Sequence, residues 1–195
     1  MESVSSVGVF YDFIEDPERA SEAVRRAPPI GLGLLAYAFA AFSAFLAEAI
    51  TGRLGIFSAS LVSLTVLLVW HLGVGIMQTA LVHLVAEVSG GEGRAAGLFV
   101  LLGLSELAWA LVLPGVLVVQ AFFPDATWGI SAVFLAVGIL CLWLKLRSIQ
   151  LNYRIGGVHA LFALLFPYLA VAASIFFIFF AAIAGFIESI ARVVA

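Results

Sequence analysis

Charge is scarce in this chain. Of its 195 residues, 11% are Asp, Glu, Lys or Arg, where a soluble domain carries about a quarter. That shortfall excludes a soluble globular fold, because too few polar side chains exist to cover its surface. Cysteine is scarcer still. The single Cys141 permits no internal disulfide and no cysteine-built metal site. Positive charge is not in excess either. Nine basic against twelve acidic residues give a net charge of −3, which argues against nucleic acid as a partner. What is present is apolar: 64% of residues are hydrophobic and the mean hydropathy is +1.20. This is the composition of an all-α polytopic membrane protein, with no room for a large soluble catalytic domain.

Residues 1–29 read as a short cytoplasmic segment, without the basic start and cleavage site of a secretory signal. Asp16 is placed to cap a helix, Pro17 suits its first turn, and Pro28-Pro29 stops it. Glu22 and Arg26 sit one turn apart on this interfacial helix, and Phe10, Phe13 and Ile14 are placed to dip into the headgroup region. Residues 30–195 form the membrane domain. Its apolar segments, about 30–50, 57–86, 95–123, 128–146 and 158–190, each reach the ~20 residues that cross a hydrocarbon core. Pro114 and Pro167 are the expected bends. The alternative for the last segment is a re-entrant piece ending near Pro167 followed by a separate span.

Basic residues orient the five spans. Arg19, Arg25, Arg26, Arg94, Lys145, Arg147 and Arg154 fall on the side of the N-terminus, and Arg53 and Arg192 on the other. Seven against two places the N-terminus in the cytoplasm and the C-terminus outside, in a plasma or inner membrane. Trp128 and Trp143 then mark the two ends of the fourth span.

Polar residues inside spans are costly, so they are the candidates for chemistry. His71, Gln78 and Thr79 share a face of the second span with His83 at its margin, and the third span carries Ser105 and Glu106. A hairpin centred on Gly90-Gly91 puts residues whose numbers sum to about 181 at equal depth. His71 and Glu106 miss that sum by about one turn, so the predicted buried polar site is His71, Gln78, His83 and Glu106. Glu87, Gly90, Gly91 and Arg94 form the cytoplasmic turn. No catalytic, cofactor or metal residues are expected. His83 and Glu87 are one turn apart without further obvious ligands, no Gly-x-Ser-x-Gly elbow occurs, and no lysine is read inside a span.

Several stretches in order resemble bacterial members of the Yip family, the Ypt/Rab-interacting-protein membrane domain. They are Asp16-Pro17-Glu18-Arg19-Ala20 with Arg25-Arg26-Ala27-Pro28-Pro29, then His83-Leu84-Val85-Ala86-Glu87 with Gly90-Gly91-Glu92-Gly93. Ile155-Gly156-Gly157-Val158-His159-Ala160 and Phe166-Pro167 follow. Where that family often has a proline after the serine of the third span, this chain has Ser105-Glu106-Leu107-Ala108. The resemblance implies five spans, a cytoplasmic N-terminus and no known enzymatic activity. The expected role is a non-enzymatic scaffold or adaptor in membrane organisation or trafficking, with membrane lipids and other membrane proteins or a second copy as partners. The alternative is a transporter, channel or accessory subunit using the His71/Glu106 region. An intramembrane enzyme acting on a lipid-linked substrate ranks third.

Overall fold

Helices start where the sequence offers a cap. The computed structural model describes residues 5–54, 59–123 and 127–194, with the side chains of 127 and 188–194 excepted. The Ser5 hydroxyl accepts from the Gly8 amide and opens α1 (Ser6–Glu15); the Asp16 carboxylate accepts from the Arg19 amide and opens α2 (Pro17–Arg26). As expected, Pro17 occupies the first turn of α2, and Arg26 lies 3.9 Å from Glu22. The helix α1 was not foreseen. Val9 and Phe13, one turn apart, are buried on its inner face.

The two short helices pack on the bundle. Val9, Phe13, Ala20 and Val24 join Ala36, Val100, Leu101 and Leu104 in one apolar cluster, so α1 and α2 are docked on the membrane bundle. Arg147 of the fourth long helix holds Glu18 of α2 at 3.2 Å at the rim. The boundary drawn at residue 29 therefore separates nothing in the packing.

The remaining elements are α3 (Ile30–Ile50), α4 (Leu61–Val88), α5 (Ala95–Glu106), a 3-10 turn (Leu107–Leu111), α6 (Val112–Phe122), α7 (Thr127–Tyr153) and α8 (Gly157–Val194). Treating α5 to α6 as one span, five helices among the described residues are long and apolar enough to cross a bilayer, as a multi-pass membrane protein requires. The predicted start at Phe57 and the predicted link at residues 124–126 lie outside the described residues; the described part of the second span begins at Leu61. The helix α8 passes through Pro167 without a break, so the last segment is one helix and not a re-entrant piece. The irregularity near Pro114 falls in the turn before it. Pro114 has no N–H for the carbonyl of Ala110, and that carbonyl accepts from Ser43 Oγ of α3 at 3.3 Å instead.

The axis of the bundle is α5, buried from Gly97 to Glu106. Missing side chains bring its neighbours in. A Cβ on Gly103 would stand 2.8 Å from the carbonyl oxygen of Gly33 on α3, and one on Gly97 would stand 3.1 Å from Asn152 on α7. Between helices in lipid, where no hydrophobic force acts, such close backbone contact is a principal source of cohesion. Gly75 of α4 accepts the ring of Tyr37 in the same way. Gly31 and Gly73 face open space.

The helix α7 is longer than its apolar segment. It continues to Tyr153, seven residues past the expected end at Leu146 (153 − 146), which carries Lys145 and Arg147 out of the loop and into the helix. Trp143 thus sits inside the helix and does not mark its end.

Candidate functional site

Four helices converge on one lysine. Lys145 of α7 is 6% exposed, and its Nζ lies 2.5 Å from Glu106 Oε1 at the end of α5, itself 7% exposed. The same ammonium donates to Gln78 Oε1 of α4 at 3.0 Å. Gln78 Nε2 then donates to the hydroxyl of Tyr168 on α8 at 3.0 Å. Cys141, one turn before Lys145, places its thiol 3.9 Å from Glu106 Oε2. The chain of contacts therefore runs Glu106, Lys145, Gln78, Tyr168, and its last member is half exposed on the bundle surface.

Position along each helix explains the convergence. Glu106 ends the regular part of α5, where the helix tightens ahead of Pro114. Gly75, Gln78, Thr79 and Val82 form the buried face of α4. On α7, Cys141, Lys145, Ser148 and Asn152 recur at four-, three- and four-residue steps, and all are buried. Ser148 meets Ser105 at 3.1 Å, and both hydroxyls lie within 3.5 Å of the Leu101 carbonyl. A stripe of small polar groups thus continues the Lys145 face along the α5–α7 contact.

Of the expected set of His71, Gln78, His83 and Glu106, the structure brings two members together. Gln78 and Glu106 do share a site, through Lys145. His71 does not join them, and no hydrogen bond or ion pair joins it to Glu106; its ring Nδ1 is buried without a hydrogen-bond partner, and Glu48 of α3 is the carboxylate in electrostatic reach. Position 75 is level with Glu106 by the sum of 181, and Gln78 is three residues from it while His71 is four. The rotation favoured Gln78; the preference for an ionisable partner selected His71.

His83 belongs to a second cluster nearer the α4–α5 turn. Its Nδ1 is 2.6 Å from the Tyr153 hydroxyl and its Nε2 is 3.7 Å from Glu87, one turn on. Tyr153 also anchors the turn. Gly90 adopts φ +83, and a Cβ on Gly91 or Gly93 would stand 2.8 or 2.5 Å from the Tyr153 side chain. The carbonyl of Arg94 accepts from Asn152 Nδ2 at 3.2 Å, and the Glu92 amide donates to the Tyr153 carbonyl at 3.3 Å. The glycines are therefore required by a close approach of turn to helix. Among the described residues, no three His, Cys, Asp or Glu side chains gather as a metal site would need.

Sequence reasoning missed Lys145 and Tyr168. The signal for Lys145 was the helical recurrence of Cys141, Lys145, Ser148 and Asn152, which runs on past Leu146. Comparison with models of known protein families, with curated proteins and with solved structures finds no match. What the site can do follows from its chemistry alone. A paired lysine and glutamate inside packed helices cancel each other's charge, and removing either leaves the other uncompensated at a cost of about 3–5 kcal/mol.

Proposed function

We propose that this chain is a non-enzymatic membrane scaffold or adaptor, a member by resemblance of the Yip family, acting in membrane organisation or trafficking. The observation that carries the reading is the burial of the Glu106–Lys145 pair among packed side chains, each residue less than a tenth exposed. A pair so enclosed ties α5 to α7 and, through Gln78 and Tyr168, ties both to α4 and α8. A fixed bundle with an extensive apolar exterior suits a protein that gathers lipids, other membrane proteins or its own copies. In this reading the N-terminus and the α4–α5 turn face the cytoplasm. With Lys145 inside the bundle, the basic count that supports this orientation becomes six against two (seven less Lys145), with the same sign.

A second reading, a proton-linked transporter or channel, is favoured by one feature: the polar chain ends on the half-exposed Tyr168. Proteoliposomes loaded with a pH-sensitive dye separate the two. The scaffold reading expects no proton flux down an imposed gradient from the wild-type protein. A flux that Glu106→Gln abolishes while the protein stays folded would replace it by the transporter reading. Reporter fusions after Arg26 and after Ala195 test the orientation and should report opposite sides.

A further inference from the structure

Four arginines from three separate stretches of chain line one open pocket of about 460 Å³ at the α2 end of the bundle. Arg25 and Arg26 come from the last turn of α2, Arg94 from the α4–α5 turn, and Arg154 from the α7–α8 turn. Only two carboxylates, Glu22 and Glu92, share the lining, so the pocket carries a net +2 (four less two). Glu22 is stretched between Arg26 and Arg154, at 3.9 Å from each. Arg25 and Arg94 have no ion-pair partner among the described residues.

Two further observations bear on how Arg154 and Arg94 are placed. Arg154 is the only non-glycine residue of positive φ among the described residues, at +55, in a left-handed position where a helix ending normally uses glycine. An arginine occupies this position despite the backbone preference, and it lines the pocket. Arg94, for its part, is fixed by the clasp of Gly91 and Gly93 against Tyr153 and by the bond from Asn152 to its carbonyl. It stands at the N-terminus of α5, whose first turn has no side-chain cap and leaves backbone amides open beside it.

We propose that Arg25, Arg26, Arg94 and Arg154 form a binding site for a phosphate group, carried either by an anionic lipid headgroup or by a soluble phosphorylated ligand. Guanidinium forks match phosphate oxygens bidentately, which a lone lysine charge does not. The pocket exceeds the size of one phosphate and leaves space for the organic group attached to it. The site does not depend on the scaffold reading, because it uses none of the residues around Lys145.

The test uses the full chain in nanodiscs. In one arm, discs of phosphatidylcholine with phosphatidylglycerol are examined by native mass spectrometry for retained lipid. In the other, glycerol 3-phosphate is titrated by calorimetry into discs of phosphatidylcholine alone. Arg25→Gln with Arg94→Gln should lower retention or affinity about tenfold or more, whereas Arg19→Gln with Arg147→Gln, the same charge removed from the same end outside the pocket, should change it less than about twofold. Arg154→Gly separates binding from folding. It relieves the left-handed position, so the protein should melt no lower than wild type, yet binding should fall. Retention of phosphatidylglycerol without binding of the soluble probe assigns a lipid headgroup; the converse assigns a soluble ligand. Equal losses in the two double variants, full binding after Arg154→Gly, or no binding in either arm would overturn the proposal.

Discussion

The α5–α6 span and α8 are almost equally apolar, and they occupy opposite places. Their most apolar windows have mean hydropathies of 2.1 and 2.5, yet two-thirds of the first is buried and none of the second. What separates them is grain. The span of α5 carries Gly97, Gly103, Ser105 and Glu106, small or polar groups that either admit a neighbour or demand one. Beyond Tyr168, α8 carries Phe176, Phe177, Phe179 and Phe180, all more than half exposed. Lipid solvates such rings as well as protein does, so nothing pulls them inward. Hydropathy finds the spans; small and polar residues assign their places.

The sharpest way to break this contrast is to unpair the axis. Lys145→Ala should destabilise the protein by about 3–5 kcal/mol, seen as a large drop in thermal midpoint in detergent or nanodiscs, because Glu106 is left charged among packed side chains. Replacing both partners, Glu106→Leu with Lys145→Leu, should recover most of that loss, since no charge remains to be compensated. A double variant as unstable as Lys145→Ala would show that the pair matters for its hydrogen bonds and shape and not for its charge balance.

This pair also marks how far the sequence could be read. The five spans and the α2 helix were legible because each has a local signal: about twenty apolar residues, or an Asp-Pro start and a Pro-Pro stop. Lys145 was not, because a lysine two residues after Trp143 looks like an interfacial anchor when its own helix is taken to end there. Whether a helix continues through a charge depends on a partner supplied by another helix, and that partner is 39 residues away in sequence (145 − 106). The missed α1 has the same origin. Its apolar face is short, and only the packing of Val9 and Phe13 against Ala36, Val100, Leu101 and Leu104 makes it worth forming. Half of the candidate site was legible for a geometric reason, since the α4–α5 turn fixes depth but not rotation.

The next effect is steric. Gly103→Val should cost about 1–3 kcal/mol, because its first added carbon meets the Gly33 carbonyl oxygen at 2.8 Å, a backbone atom that cannot turn aside. Gly31→Ala, on the same helix as Gly33 but facing open space, should be neutral or slightly stabilising. Thermal midpoints of the two variants, taken in the same lipid, check the pair. Equal penalties would show that glycine on α3 and α5 serves helix flexibility and not close approach.

A smaller change is expected where the polar chain reaches the surface. Tyr168→Phe removes one hydrogen bond from Gln78 and leaves an amide hydrogen to find another acceptor, at a cost of about 0.6 kcal/mol, typical of such bonds in membrane bundles. A loss several times larger would mean that Tyr168 supports the Lys145 contact as well, and a double-mutant cycle with Gln78→Leu would register that coupling.

The smallest effect belongs to α8. Phe177 is 78% exposed, and in the isolated chain its ring meets bilayer or detergent in the folded state. Removing it exchanges one apolar contact for another, so Phe177→Ala should change stability by less than about 0.5 kcal/mol, within the range of surface substitutions. A phenylalanine closed inside packed protein would cost about 3–5 kcal/mol on the same substitution. The two values are far enough apart for a melting curve in nanodiscs to separate them. A drop near the upper value would place α8 against another protein surface in the membrane. The native unit would then be an assembly in which the lipid-facing helix of this chain becomes an interior one.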